Sequence, residues 1–404
     1  MRSYLLPLVL LVPFFVVGCG GSSTTDSSQG APAAESVDPE AGPWELVPED
    51  RVAEECGLDP ALLREADQAI DRPWAIIRYG KLCHEYYPSG ADEVTEVYSA
   101  TKTLSAVVTG IAVYETRDLT RTGRKTGPLS DTDRVDHWLD DFTFNPDAQV
   151  AHVLSMVAHN DDLGLDQKTF AYDADGTVQI NRLSDVINTA IDQDPGRFGA
   201  DLDAFTQRYL YEPVGMTGST WTGGGPDKIF AFTWETTTRD MARLGLLMLN
   251  GGEWNGNRVL SEDWIYKMTH PSFEDAATTY GYLTWVSTRL QNPFFGDCAP
   301  ASIWPENPHG LSDAPDCGYG AEASCTQEND VGVWSALGLF GQIITGHPGL
   351  DMVIVAKDIG DAVSARGAWA FARPALVAED PRFAGDEAAF CQAYRSSGYA
   401  PDLR

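Results

Sequence analysis

The sequence predicts an α+β fold, with one sheet assembled from strands near both ends of the folded region and interrupted by a helical insertion. Three observations carry this. Short β-rich segments lie at residues 74–87 and 340–356. Residues from about 115 to 235 read as helices and aspartate-rich loops. Of the 404 residues, 43% are apolar and 10% aromatic, which is ample for a packed core in one large domain or two modest ones.

The elements follow in order. Residues 59–71 read as a helix, with Leu62, Leu63, Ala66 and Ile70 at helical spacing. Residues 74–78 and 82–87 read as two strands joined at Gly80-Lys81, a hairpin signal. A helix begins near Ser99, with Leu104, Val107, Val108 and Ile111 on one face. Another covers residues 238–249, capped by Thr237 with Asp240 three residues on and ended by Asn250-Gly251; its buried stripe is Met241, Leu244 and Met248. A further helix starts at Ser261. Residues 293–331 shift to Pro, Gly, Asp and three cysteines with little periodicity, the composition of a long loop pinned by disulfides. Strands at 340–345 and 352–356 flank the turn His347-Pro348-Gly349, and a last helix covers about 386–395.

The first residues read as targeting sequence. Arg2 precedes an apolar run at residues 5–17, too short to span a bilayer as a helix. It ends in Val16-Val17-Gly18-Cys19, which resembles a bacterial lipoprotein signal in which acyl chains on Cys19 anchor the chain. Residues 20–43 are rich in Gly, Ser, Thr, Ala and Pro, lack aromatic residues, and cannot bury a core. The expected organisation is a signal peptide at 1–18, a lipidated cysteine and tether at 19–45, and a folded region at 46–404. An exported, cell-envelope lipoprotein is therefore expected, on the periplasmic or another extracytoplasmic face. Six further cysteines remain: Cys56, Cys83, Cys298, Cys317, Cys325 and Cys391. An even number outside the cytosol suggests up to three disulfides, with the pairing open.

The formal net charge is −31. Such a field repels phosphate backbones and anionic headgroups, which argues against nucleic-acid partners and basic-patch lipid binding. Contact with a membrane is then expected through the lipid anchor only. No cysteine–histidine group has zinc spacing.

One tetrad carries chemistry. In Ser99-Ala100-Thr101-Lys102, positions i and i+3 share a helix face. A lysine partly buried there loses solvation, and its pKa falls from about 10.4 toward neutrality. The neutral amine can accept the serine proton, and first-turn N–H groups favour a developing oxyanion.

With its context, Tyr98-Ser99-Ala100-Thr101-Lys102-Thr103 resembles the serine β-lactamase and penicillin-binding protein superfamily, and within it the class C-like hydrolases that include esterases and the 6-aminohexanoate-dimer hydrolase. Other segments match in the same order: His152-Val153-Leu154-Ser155-Met156, Tyr211 to Met216, Thr237 to Leu244, Leu249 to Gly256, Tyr280-Gly281-Tyr282 and Gly341-Gln342. The resemblance covers about residues 55–395. It implies a β-lactamase/transpeptidase-like architecture, in which an antiparallel sheet flanked by helices meets an all-helical region at the site.

The resemblance implies a second element, Tyr-x-Asn, best matched by Tyr172-Asp173-Ala174. Tyr172 then moves protons, as phenolate or through a hydrogen bond to Lys102, while Ala174 lacks the amide expected on the substrate side. The implied third element is Lys-Thr-Gly on a strand. The literal Lys125-Thr126-Gly127 comes too early and reads as a polar surface turn; by order the match is Ala336-Leu337-Gly338. A strand N–H from Leu339 pairs with that of Ser99 as oxyanion hole, and Gly338 permits close approach of substrate. Ala336 removes the cation that would hold a β-lactam carboxylate.

Other candidates read as structural. His152 and His159 lack metal or catalytic patterning, and Trp221, Trp234, Trp285, Trp304 and Trp334 suit core packing better than a cleft wall. Asp161, Asp166 and Asp201 match no complete calcium loop. The expected protein is a monomeric serine hydrolase that acts on a small ester, amide or peptide through an acyl-enzyme on Ser99, without metal or organic cofactor. The 293–331 loop is expected to wall the cleft. The rivals are a D-amino-peptidase, carboxypeptidase or weak β-lactamase acting on cell-wall-like substrates, and a non-catalytic binding or sensing lipoprotein.

Overall fold

The structure is a computed structural model that describes residues 44–141, 145, 147–158, 170, 172, 174–222, 228–273, 280–286 and 334–360. The signal, Cys19, the tether through residue 43, the 293–331 loop, Cys298, Cys317, Cys325, Cys391, His159, Asp161, Asp166, Trp304 and the expected last helix lie outside the described residues; Trp44, expected in the tether, is instead buried in the core.

The strands, in chain order, are β1 (Trp74–Arg78), β2 (Lys81–Tyr86), β3 (Thr95–Glu96), β4 (Thr220–Trp221), β5 (Trp234–Thr236), β6 (Glu253–Trp254), β7 (Asn257–Arg258), β8 (Trp285–Val286), β9 (Trp334–Gly338), β10 (Gln342–His347) and β11 (Met352–Ala356). Six of them form one antiparallel sheet in the order β2-β1-β11-β10-β9-β8. The first hairpin joins the last strands through β1 and β11, with Trp74 opposite Ala356 and Arg78 opposite Met352. Strands from both ends of the folded region therefore share one sheet, as the sequence predicts.

The central strands are covered on both faces, which is why they read as unbroken apolar runs. Successive side chains alternate. Trp74, Ile76, Met352 and Ile354 pack with Leu63, Ala66 and Ile70 of the Pro60–Ile70 helix. Ala75, Ile77, Val353 and Val355 face the larger helical body. There the Thr238–Leu249 helix lies so close to the sheet that a Cβ on Gly245 would sit 2.6 Å from Val353 and 2.8 Å from Ile344. Thr237 caps its helix as expected, accepting from the Asp240 N–H; Asp59, accepting from the N–H groups of Ala61 and Leu62, and Ser261, accepting from Trp264, prove to be N-caps of helices that begin one residue later, at Pro60 and Glu262.

The structure corrects several boundaries. The hairpin turn is Tyr79-Gly80, with φ of 53° and 72°, so Lys81 already belongs to β2. The paired positive φ values give the turn the twist that antiparallel strands need. The strand expected from residue 340 begins at Gln342, because Phe340 and Gly341 form a positive-φ turn. The region from 115 to 235 is not wholly helical: β4 and β5 join β3 in a three-stranded sheet. Strands of two or three residues leave no periodicity to read.

Of the open cysteine pairings, Cys56–Cys83 forms, linking the Val52–Cys56 helix to β2. Beside it Arg78, fully buried, donates to the carbonyls of Leu350, Cys56 and Gly57. Non-reducing peptide mapping is expected to recover Cys56 and Cys83 in one linked peptide. The paired Cys56→Ala/Cys83→Ala variant is expected to lose about 3 kcal/mol of stability in urea unfolding.

Candidate active site

Ser99 sits where β3 runs into the long buried helix. Val97 donates its N–H to the Trp234 carbonyl, and the chain then turns at Tyr98 with φ of 48°. Residues Tyr98–Ala100 form one 3-10 turn and the α-helix spans Thr101–Thr116, so the helix starts two residues later than predicted. Lys102 still faces Ser99. A non-glycine residue at positive φ stores strain, and such residues concentrate at functional sites. The surroundings fix this one: Trp234 N–H donates to Thr101 Oγ1 at 3.1 Å, and Trp264 Nε1 donates to the Ala106 carbonyl at 2.9 Å.

Lys102 is 4% exposed. Its Nζ lies 2.9 Å from Ser99 Oγ and 2.9 Å from the Ala231 carbonyl. Among the described residues, no carboxylate forms an ion pair with it. Burial alone lowers its pKa from the usual lysine range to about 7. A neutral amine there can donate one N–H to Ala231 and offer its lone pair to the Ser99 hydroxyl.

Tyr172 completes a three-group cluster in a different arrangement from the expected one. Its hydroxyl shares a hydrogen bond with Ser99, while Lys102 Nζ lies over its ring, 4.9 Å from the centroid. Burial pushes the phenol up to about 12, partly offset by the Ser99 hydrogen bond. It is therefore a neutral O–H at ordinary pH, not a phenolate. Aromatic rings hold it: Trp285 at 5.1 Å and Tyr280 at 6.1 Å, with Phe170 packing on Tyr280 at 5.0 Å. Trp285 thus borders the cluster, whereas Trp234 and Trp334 are core residues.

The third element lies beside the Ser99 turn. A Cβ on Gly338, the last residue of β9, would sit 2.1 Å from the Val97 carbonyl and 3.2 Å from the Ala100 nitrogen. Glycine there lets the strand's backbone pack against the Ser99 turn. Leu339 follows in the β9–β10 turn rather than in the strand, 56% exposed, and Phe340 stacks edge-on against Tyr98 at 5.3 Å. Ala336 is buried in the core and supplies no cation. Ala174 is the first residue of the helix Ala174–Ile191. The literal Lys125-Thr126-Gly127 forms the polar turn expected, with Lys125 paired to Asp140 at 2.5 Å. His152 Nδ1 accepts from the Gln149 N–H and its ring stacks on Phe273, and Asp201 caps a helix through the Ala204 N–H.

Sequence reasoning missed Ala231, because a main-chain carbonyl carries no residue signature. It also missed the ring brace, although Tyr280 and Trp285 were both in view.

No family model matches the chain. Solved structures share its fold. A family VIII carboxylesterase is 12% identical with a TM-score of 0.53, over 80% of this chain and 97% of that one. A Bacteroides dorei protein, provisionally named a β-lactamase, is 16% identical with a TM-score of 0.52, over 78% and 98%. A Bacillus anthracis protein, provisionally named a 6-aminohexanoate-dimer hydrolase, is 16% identical with a TM-score of 0.50, over 81% and 84%. The fold is that of the serine β-lactamases and transpeptidases.

The geometry sets a pH dependence. Only neutral Lys102 can take the Ser99 proton, so reaction of Ser99 with a fluorescent phosphonate is expected to rise with pH and reach half its plateau near pH 7. Below that it should fall about tenfold per pH unit. Tyr172→Phe is expected to slow labelling without moving the midpoint, since the phenol does not titrate in that range.

Proposed function

We propose that the protein is a serine hydrolase that cleaves esters or amides through an acyl-enzyme on Ser99. The observation that carries this reading is the 2.9 Å approach of a buried lysine, with no ion-paired acid among the described residues, to the Ser99 hydroxyl. In the first step Ser99 Oγ attacks the substrate carbonyl carbon and its proton passes to the lone pair of Lys102. The carbonyl electron pair becomes an oxyanion, held by the N–H groups of Ser99 and Leu339. On collapse the C–O or C–N bond of the leaving group breaks, and its oxygen or nitrogen takes the proton from Lys102. Water then adds to the acyl-enzyme by the same route in reverse, giving the acid and restoring Ser99.

Ala336 favours substrates without a carboxylate beside the scissile bond. A carboxylate gains about 1.5–3 kcal/mol from a charge-assisted hydrogen bond, and this position offers none. Short-chain esters and neutral amides therefore lead over β-lactams and cell-wall peptides.

The test compares the parent with Ser99→Ala and Lys102→Ala, folding checked by circular dichroism. Phosphonate labelling of the parent alone supports the reading, and Lys102→Ala is expected to lose about 10²- to 10⁴-fold in kcat on an ester. Equal absence of labelling in all three favours a binding or sensing protein. Nitrocefin or D-alanyl peptides turned over faster than p-nitrophenyl esters would move the assignment to the β-lactamase or peptidase reading.

We further propose that Cys19 is lipidated and anchors the hydrolase at an extracytoplasmic face. The support is the small-residue run before Cys19 and the tether after it. No helix among the described residues is long and apolar enough to cross a membrane. In a bacterial host the full chain is expected to take up radiolabelled palmitate and sediment with membranes, and Cys19→Ala to do neither.

A further inference from the structure

We infer that Asn181 is a positioning residue for the Ser99–Lys102 pair, acting through the main chain of Ala231. The inference rests on the hydrolase reading above.

Lys102 has two hydrogen-bond partners, the hydroxyl it serves and the carbonyl of Ala231. With no carboxylate among the described residues ion-paired to it, that carbonyl decides where the amine sits. Ala231 lies in the segment leading into β5, and side chains hold this segment in place. Ser105 Oγ donates to the Phe230 carbonyl at 3.0 Å. Glu96 Oε1 accepts from the Thr233 N–H at 3.2 Å, and Thr101 Oγ1 accepts from the Trp234 N–H at 3.1 Å. These three come from the nucleophile's helix and from β3. Asn181 approaches from the other side, its Oδ1 accepting from the Ala231 N–H at 3.1 Å. It belongs to Ala174–Ile191, the helix that begins two residues after Tyr172.

Asn181 therefore joins the helix following Tyr172 to the residue whose carbonyl orients Lys102. The segment also has strain to resist, since Thr233 is held at φ of 84°. The neutral amide suits the place. A carboxylate would accept the same N–H, but its charge would favour the ammonium form of Lys102 and remove the base at neutral pH.

The experiment measures the rate of Ser99 labelling by the fluorescent phosphonate against pH, with kcat and KM on a short-chain ester, for the parent, Asn181→Leu, Asn181→Asp and Ser99→Ala. Thermal melts are recorded for each. Asn181→Leu removes the acceptor and is expected to lower the labelling plateau and kcat about 10- to 100-fold, with KM little changed, because a displacement on the order of 1 Å at a reacting pair costs that much. Asn181→Asp restores the acceptor, so the plateau should recover most of the loss while the midpoint moves to higher pH. A plateau within twofold of the parent in Asn181→Leu overturns the inference. So does an Asn181→Asp variant that is as slow as Asn181→Leu with an unmoved midpoint, which would mark Asn181 as merely structural. Failure of the parent to label at Ser99 overturns the hydrolase reading itself, a result distinct from either.

Discussion

Burying Lys102 beside Ser99, with no ion-paired acid among the described residues, is the constraint around which this part of the molecule is arranged. A buried ammonium with no counter-charge is costly, and the group responds by giving up its proton readily. Any acid placed against it would stabilise the charge and raise that pKa again. The protein meets the remaining hydrogen-bond demand with neutral groups: one hydroxyl, one carbonyl and the face of a phenol ring.

A second buried lysine shows the contrast. Lys357, next after β11, is also shifted down by burial, to about 8, but Asp92, Asp358, Asp240 and Glu93 pull in the opposite direction. Its Nζ donates to the carbonyls of Glu93 and Thr236 and so ties the end of the interior strand β11 to the loop before β3 and to β5. Asp92, in the same loop, accepts from the N–H groups of Thr238 and Arg239 at the start of the next helix. Lys357 ties elements together among acids, whereas Lys102 is held apart from them. The acidic composition of the chain makes that separation a specific feature of the Ser99 environment.

What could be read from the sequence divides along physical lines. The Pro60–Ile70 and Thr238–Leu249 helices begin at the side-chain caps Asp59 and Thr237, so their starts were legible. The Thr101–Thr116 helix is buried nearly all round, with Gly110 pressed against the Trp264 ring, so its one-faced pattern described only part of its contacts. Ser99 and Lys102 were legible because side-chain chemistry at a helical spacing states their pairing. Tyr172 was found, but its partner was not, since ring position over Lys102 and hydroxyl contact with Ser99 depend on how separate elements dock. Ala231 and Asn181 act through the main chain, and nothing in residue identity announces a carbonyl's direction.

Of the eleven non-glycine residues at positive φ among the described residues, three border the Ser99–Lys102 pair. Tyr98, Thr233 and Phe340 all have positive φ without being glycine, and each lies in a segment bordering the Ser99–Lys102 pair. A backbone residue in this region costs on the order of 1–3 kcal/mol, so such a geometry persists only where several contacts determine it. Here they do. Tyr98 and Phe340 brace each other ring to ring, Thr233 is held through its N–H by Glu96 and through its hydroxyl by the Thr222 carbonyl, and Gly338 leaves room for the Val97 carbonyl between the two turns. A Cβ at position 338 would push β9 away from the Ser99 turn and release the Tyr98–Phe340 contact with it. The position of Ser99 is thus set jointly by the strand beside it and the segment across from it, and the helix that carries Lys102 fixes the third side.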